Sequence, residues 1–131
     1  MSPWVYGYLA ALVVMGVLDA LWLGWLARDF YRQELGDLMA EKIRLAPAAA
    51  FYFGYPALLT ALALNPLPAS AGAAAWKAAL VGLVAYGTYD LTNMATLKHW
   101  SLKLTLIDTG WGMLASTLAG LTAYMLVQKN S

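Results

Sequence analysis

The stretch YGTYDLTNMAT, Tyr86 to Thr96, sets a polar run inside a hydrophobic segment long enough to cross a membrane. Wound at about 100° per residue, Tyr86, Thr88, Tyr89, Asp90, Thr92, Asn93 and Thr96 fall on one arc of roughly 200°. Gly87, Leu91, Met94 and Ala95 fill the remainder. Hydrocarbon offers such a wall no hydrogen-bond partner, so polar groups at this depth are tolerated where they face protein or a water-filled cavity. The helix is therefore expected to look inward, toward a site.

The segments around it set the class. Of 131 residues, 62% are hydrophobic and 11% charged, against about 25% charged in soluble domains, and the mean hydropathy is +0.61. Apolar segments run from about Trp4 to Ala27, Ala46 to Leu64, Ala73 to Leu97 and Leu104 to Val127. Each is near the ~20 residues that cross ~30 Å of hydrocarbon as a helix. The expectation is an all-α integral membrane four-helix bundle forming one domain over residues 1–131. A transmembrane β-barrel needs ~10-residue segments of alternating polarity, and these runs are continuous. With no cysteine, disulfides, zinc thiolate sites, iron–sulfur clusters and thiol catalysis are excluded. The eight Lys and Arg residues are scattered among short loops, which excludes the concentrated basic face that nucleic acid requires.

The apolar run at the amino terminus has no basic residues before it and outlasts a signal-peptide core, so it is expected to remain as a first helix. Arg28, Arg32, Lys42, Arg44, Lys98 and Lys103 lie in the first and third connections, and only Lys77 and Lys129 lie on the other side. By the positive-inside rule both connections are cytoplasmic and both termini lie outside the cytoplasm. Trp4, Tyr6, Trp76 and Tyr124 would mark one interface, and Trp22, Trp25 and Trp100 the cytoplasmic one. Tyr31, Leu35, Leu38 and Met39 recur at helical spacing between Arg28 and Arg44, the pattern of a short amphipathic helix on the membrane surface.

Two small-residue stripes predict close helix packing. Gly16, Ala20 and Gly24 lie on the first helix, and Asp108, Gly112, Ser116, Gly120 and Tyr124 step by four along the last. A short third connection makes the last two helices antiparallel neighbours. Laying VVMGVLD (Val13 to Asp19) on VAYGTYD (Val84 to Asp90) matches Gly16 with Gly87 and Asp19 with Asp90, a pattern compatible with two parallel-repeat hairpins.

Asp19, Asp90 and Asp108 are the acids within the spans. An isolated Asp at mid-span costs about 2.5–3.5 kcal/mol on an insertion scale, so three in one small bundle point to a pocket. Asp19 and Asp90 lie only about 6 Å, and Asp108 about 10 Å, from their span centres on the cytoplasmic side. The same layer receives Tyr52, Tyr55, Tyr86, Tyr89, Thr92 and Asn93, with Trp22 one turn from Asp19. Pro56 would free the carbonyl of Tyr52 to face this cavity. His99 has no ligand partner at metal-binding spacing, so no metal is expected, and no motif names a cofactor.

YDLTNMATLKHW (Tyr89 to Trp100) followed by LTLIDTGWG (Leu104 to Gly112), with LDALWLG (Leu18 to Gly24), resembles a family of small predicted bacterial membrane proteins, domain of unknown function 2177. The resemblance covers nearly the whole chain. It implies four spans in the bacterial inner membrane and Asp90, Asn93, Thr96, Asp108 and Trp111 as shared positions, with no activity, substrate or cofactor attached. The resulting expectation is a cytoplasm-facing acidic pocket that binds or transports a small molecule, ion or lipid-derived ligand. A single chain this short would be expected to work as a homo-oligomer, most simply a dimer, or within a membrane complex. The alternatives are a membrane enzyme, with Lys98 or His99 holding a lipid phosphate, and a structural subunit of a larger complex.

Overall fold

A computed structural model describes all 131 residues. The chain is 83% helix and contains no strand. Helix α1 spans Pro3–Leu21 and continues into a π turn, Trp22–Leu26. Next come α2 (Arg28–Leu35) with a 3-10 turn (Gly36–Leu38), α3 (Leu45–Leu64), α4 (Ala71–Thr96) and α5 (Leu102–Lys129).

The helix starts have local causes. Ser2, Ser70 and Ser101 each accept a hydrogen bond from a first-turn backbone N–H, at 3.3, 3.1 and 2.9 Å. These caps satisfy donors that the first turn leaves without partners. Pro3 adds a residue already fixed in helical φ where no backbone N–H is needed. Helix α3 continues through Pro56.

The expected amphipathic helix over Arg28 to Arg44 is cut short at Leu35. Gly36 adopts φ +49°, a conformation that ends the helix and that a side chain would oppose. Tyr31 is buried rather than lying on a surface.

Three helical segments are long and apolar enough to cross a membrane: Pro3–Leu26, Leu45–Leu64 and Leu102–Lys129. At 26 residues α4 has the length. It is not among the three, because Lys77, Thr88, Asp90, Thr92 and Asn93 interrupt its apolar surface.

Helix α5 lies between α4 and α1 and packs on both. The seam read along α5 is real: Gly112, Ser116, Gly120 and Tyr124 are all buried. Opposite it stand Ala74, Ala78, Gly82 and Tyr86, again at four-residue steps. A Cβ on Gly120 would come 2.5 Å from Cβ of Ala78, and one on Gly82 would come 2.6 Å from the carbonyl oxygen of Gly112. Ascending numbers on α4 meet descending numbers on α5, so the pair is antiparallel.

The stripe on α1 behaves differently. Gly16, Ala20 and Gly24 are exposed, and added Cβ atoms on the two glycines would meet nothing within 4 Å. The packed face is displaced by one residue and carries Gly7, Ala11, Met15 and Asp19. There a Cβ on Gly7 would approach Cγ2 of Val127 to 2.5 Å. Small size permits close approach but does not choose the face. Met15, 1% exposed, gains more by burial than a glycine can. The matched glycines of the two similar heptapeptides therefore differ in setting, since Gly87 is buried against α5. Tyr124, expected in an aromatic belt, is also in the core at 3% exposure.

Candidate functional site

The end of the molecule that carries the α1–α3 and α4–α5 connections contains a cavity of about 760 Å³. Its walls come from α1 (Asp19) and the π turn (Leu23), from α2 (Tyr31, Leu35), and from the first half of α3 (Pro47, Ala48, Phe51, Tyr52, Tyr55). The last turns of α4 add Ala85, Tyr86 and Tyr89, and Trp100, Asp108 and Trp111 close the other side.

The contribution of α3 follows helical spacing. Residues 48, 51, 52 and 55 occupy one face, and the Phe51 ring stacks on Tyr55 at 5.4 Å and 11° between planes. Tyr86 stands edge-on to both, at 6.3 Å from Phe51 and 5.9 Å from Tyr55. The Tyr55 hydroxyl is tied to Ser116 Oγ at 2.7 Å, which fixes this wall to α5.

Two carboxyl groups from different helices reach the cavity, each held by a donor. Trp111 Nε1 donates to Asp19 Oδ1 at 2.8 Å, and the Tyr31 hydroxyl donates to Asp108 Oδ1 at 2.6 Å. Trp22 joins these halves. Its ring stacks on Trp111 at 4.4 Å with planes 4° apart, and its Nε1 donates to the Tyr31 hydroxyl at 3.0 Å. The π turn places it there: the amide of Ala27 bonds to the carbonyl of Trp22, five residues back, before the chain enters α2.

Burial, reinforced by the hydrogen bond to Asp108, pushes the Tyr31 phenol well above its ordinary range. It stays protonated, and therefore a donor, at every physiological pH. Helix α2 is further seated by Ser101, whose hydroxyl donates to the Glu34 carboxylate, and by Lys103, whose Nζ lies 5.7 Å from the Phe30 ring centroid. Tyr31→Phe should leave Asp108 without this donor and Trp22 without its acceptor, a loss of about 1–3 kcal/mol. Amide hydrogen exchange read residue by residue should show faster exchange across Arg28–Leu35 and little change in the far halves of α4 and α5. Uniform acceleration would mean that Tyr31 supports the whole fold and not this end.

Asp90 is fully buried and lies behind the cavity wall. Its Oδ2 accepts from Thr109 Oγ1 at 3.1 Å, its Oδ1 has no partner, and its carboxyl adjoins that of Asp108. Tyr86 and Trp100, both on the wall, also carry buried polar atoms without a partner in the chain, the hydroxyl and Nε1.

Of the residues anticipated from sequence, Asp19, Tyr52, Tyr55, Tyr86, Tyr89, Asp108 and Trp111 line the cavity. Trp22 backs it through Trp111, and Asp90 backs it through Asp108. Asn93, Thr92 and Thr96 do not line it; Asn93 is half-buried and the two threonines are exposed. The polar arc is thus wider than the inward face. Threonine hydroxyls need no partner helix, because they bond back within their own turn, as Thr96 Oγ1 does to the carbonyl of Thr92 at 2.8 Å.

Tyr31, Leu35, Phe51 and Trp100 were not anticipated as site residues. The i, i+4 pairs Tyr31–Leu35 and Phe51–Tyr55 are the sequence signal that could have found three of them. No three His, Asp or Glu side chains group as a metal-holding set.

Helices of this length and polarity define an all-helical membrane protein with three candidate spans. A family profile described as Predicted membrane protein (DUF2177) matches residues 4–125, and the chain belongs to that family. No curated protein and no solved structure matches it.

Proposed function

We propose that the chain is a multi-pass protein of the bacterial inner membrane that binds, and in an oligomer transports, a small molecule held in this cavity. The observation that carries the reading is the convergence of two carboxyls, Asp19 from α1 and Asp108 from α5, on one aromatic cavity. Each is oriented by its own donor, which is the arrangement of a prepared binding site. In this reading Asp19 and Asp108 meet the ligand. Asp90 supports Asp108, and Tyr52, Tyr55, Tyr86, Tyr89 and Trp111 shape the wall.

The reading takes α4 as a fourth span, making a four-helix bundle. Its polar residues are partly turned to α5, and its length matches the other spans. In this reading the cavity end faces the cytoplasm and both termini lie outside it, which the charge count of the connections supports. Asn93, Thr92 and Thr96 belong to the cytoplasmic rim of α4. A dimer would use the face of α1 with Gly16, Ala20 and Gly24, which the chain leaves exposed. The enzyme reading has weaker support, because Lys98 and His99, its phosphate-holding groups, are exposed and do not line the cavity.

A cavity-filling change tests the reading whatever the ligand is. Ala48, half-buried on the wall, would carry a tryptophan side chain into the cavity. Parent protein incubated with cell extract and washed in mild detergent should give a native mass spectrum with an added species. Ala48→Trp, folded equally well, should lose it. Retention of the same species by Ala48→Trp, or a parent that takes up nothing, would contradict the proposal.

A further inference from the structure

We infer that the cavity selects an organic cation with an apolar body, an inference that rests on the binding function proposed above. Eight of its fifteen lining residues are aromatic, and the only ionisable side chains of low ordinary pKa among them are Asp19 and Asp108. No Lys, Arg or His lines it. Ring faces carry partial negative charge and attract cations, most strongly where water is excluded. In their ionised forms the two carboxyls, on the neighbouring helices α1 and α5, add attraction of the same sign. An anion would meet repulsion from both sources, and a neutral ligand would leave the carboxyls without a counter-charge.

Size and donor set argue against a bare metal ion. A hard divalent cation takes six or more oxygen ligands at close range, whereas no cluster of three acidic or histidine side chains forms here. A volume of about 760 Å³ lies within the ~300–1,000 Å³ range of pockets for drug-sized molecules. Leu23, Leu35, Ala48 and Ala85 supply apolar wall between the rings and match hydrocarbon or aryl substituents around the charge. The occupant is therefore an alkyl- or aryl-substituted ammonium or phosphonium in type, larger than an inorganic ion. Asp108, half-buried, is the more accessible of the two acids, since Asp19 is 6% exposed.

Three probes of similar shape and different charge test this with the full chain in detergent: tetraphenylphosphonium, neutral triphenylphosphine oxide and anionic tetraphenylborate. Calorimetric titration should show saturable binding of the cation, at least about tenfold weaker binding of the neutral probe, and no site for the anion. Asp108→Asn keeps an oxygen to accept from Tyr31 and should weaken cation binding about tenfold or more while leaving the neutral probe unchanged. Phe51→Leu leaves every charge in place and should weaken the cation by about two- to thirtyfold, the span of cation–π contributions.

Equal affinity for the cation and the neutral probe in the parent, or a preference for the anion, overturns the inference. So does cation binding that neither variant weakens. If none of the three binds, the cation assignment fails as well, and the Ala48→Trp comparison decides separately whether the cavity binds any ligand. A species lost in Ala48→Trp that proves neutral or anionic leaves the binding function standing and removes its cationic specificity.

Discussion

Gly112→Leu is expected to remove nearly all folded protein from a mild-detergent extract, while Gly110→Leu, two positions away on the same helix, leaves the yield close to that of the parent. A single Cβ on Gly112 would lie 2.1, 2.3 and 2.4 Å from three ring atoms of Tyr86, and leucine adds three more carbons. Overpacking of this kind costs about 1–3 kcal/mol where neighbours can relax and more where they cannot. Here relaxation is blocked on two sides. The α4 backbone already meets α5 at the adjacent turn, where a Cβ on Gly82 would sit 2.6 Å from the Gly112 carbonyl oxygen. The Tyr86 ring is flanked edge-on by Tyr55 and Phe51. The ring also lines the cavity. Any Gly112→Leu protein that survives should therefore have a filled cavity as well as lower stability. Gly110 has nothing within 4 Å of an added Cβ, so its substitution isolates the seam from general effects of a bulky residue. Unfolding by a strong detergent, followed by helical circular dichroism, reads both variants. Equal resistance would mean that α4 and α5 do not meet along this line.

That contrast also shows which part of the fold was legible. Four-residue steps of small residues on α5 marked the seam because glycine and serine are the residues that allow two helix backbones to approach. The same signature on α1 marked a face that the chain leaves open. A stripe of small residues records permission to pack, and the partner is decided by what larger side chains beside it must bury. On α1 these are Met15 and, near the site, Asp19. The three apolar spans were legible from hydropathy alone. Helix α4 was visible as a helix, but the polar residues that made it informative also lower its hydropathy below that of its neighbours.

The cavity that forms the candidate site was legible where the sequence departs from its local rule. Acids in apolar helices led to Asp19, Asp90 and Asp108, and the tyrosines of α3 and α4 followed from their depth. What a single sequence does not carry is rotation about each helix axis. Asp90, central to the polar stretch, turns toward α5 and behind the wall, whereas Thr92 and Thr96 turn outward. Tyr31 lies in the first connection, whose course follows the break at Ala27 and the helix-ending conformation of Gly36, and Trp100 lies in the short α4–α5 connection. Trp22 and Trp100 carry the composition of interfacial anchors, and here Trp100 lines the cavity while Trp22 backs it through Trp111. An indole suits either place, since it combines a large apolar ring with one donor.

The second large effect is expected at Trp111. Trp111→Ala should cost about 3–5 kcal/mol, the range for deleting a large aromatic from packed surroundings. It removes the ring that stacks on Trp22 and the donor to Asp19 together. Trp111→Phe separates the two contributions, because a phenyl ring can still stack while the N–H is gone. The remaining loss then falls on Asp19, 6% exposed, whose Oδ1 would lack its donor, at about 1–3 kcal/mol. Coupling can be measured directly. Asp19→Leu removes the group that needs the N–H, so the double variant Trp111→Phe with Asp19→Leu should be less destabilised than the sum of the two single changes, by about 1–3 kcal/mol. Reversible unfolding of all four proteins in the same detergent gives the cycle. A sum that is merely additive would show that Trp111 holds α1 to α5 by ring packing alone. Asp19 would then be free to rotate, and the cavity would lose the fixed carboxyl on which its proposed selectivity depends. A positive coupling places Trp111 in both roles, joining the two helices and aiming the acid between them.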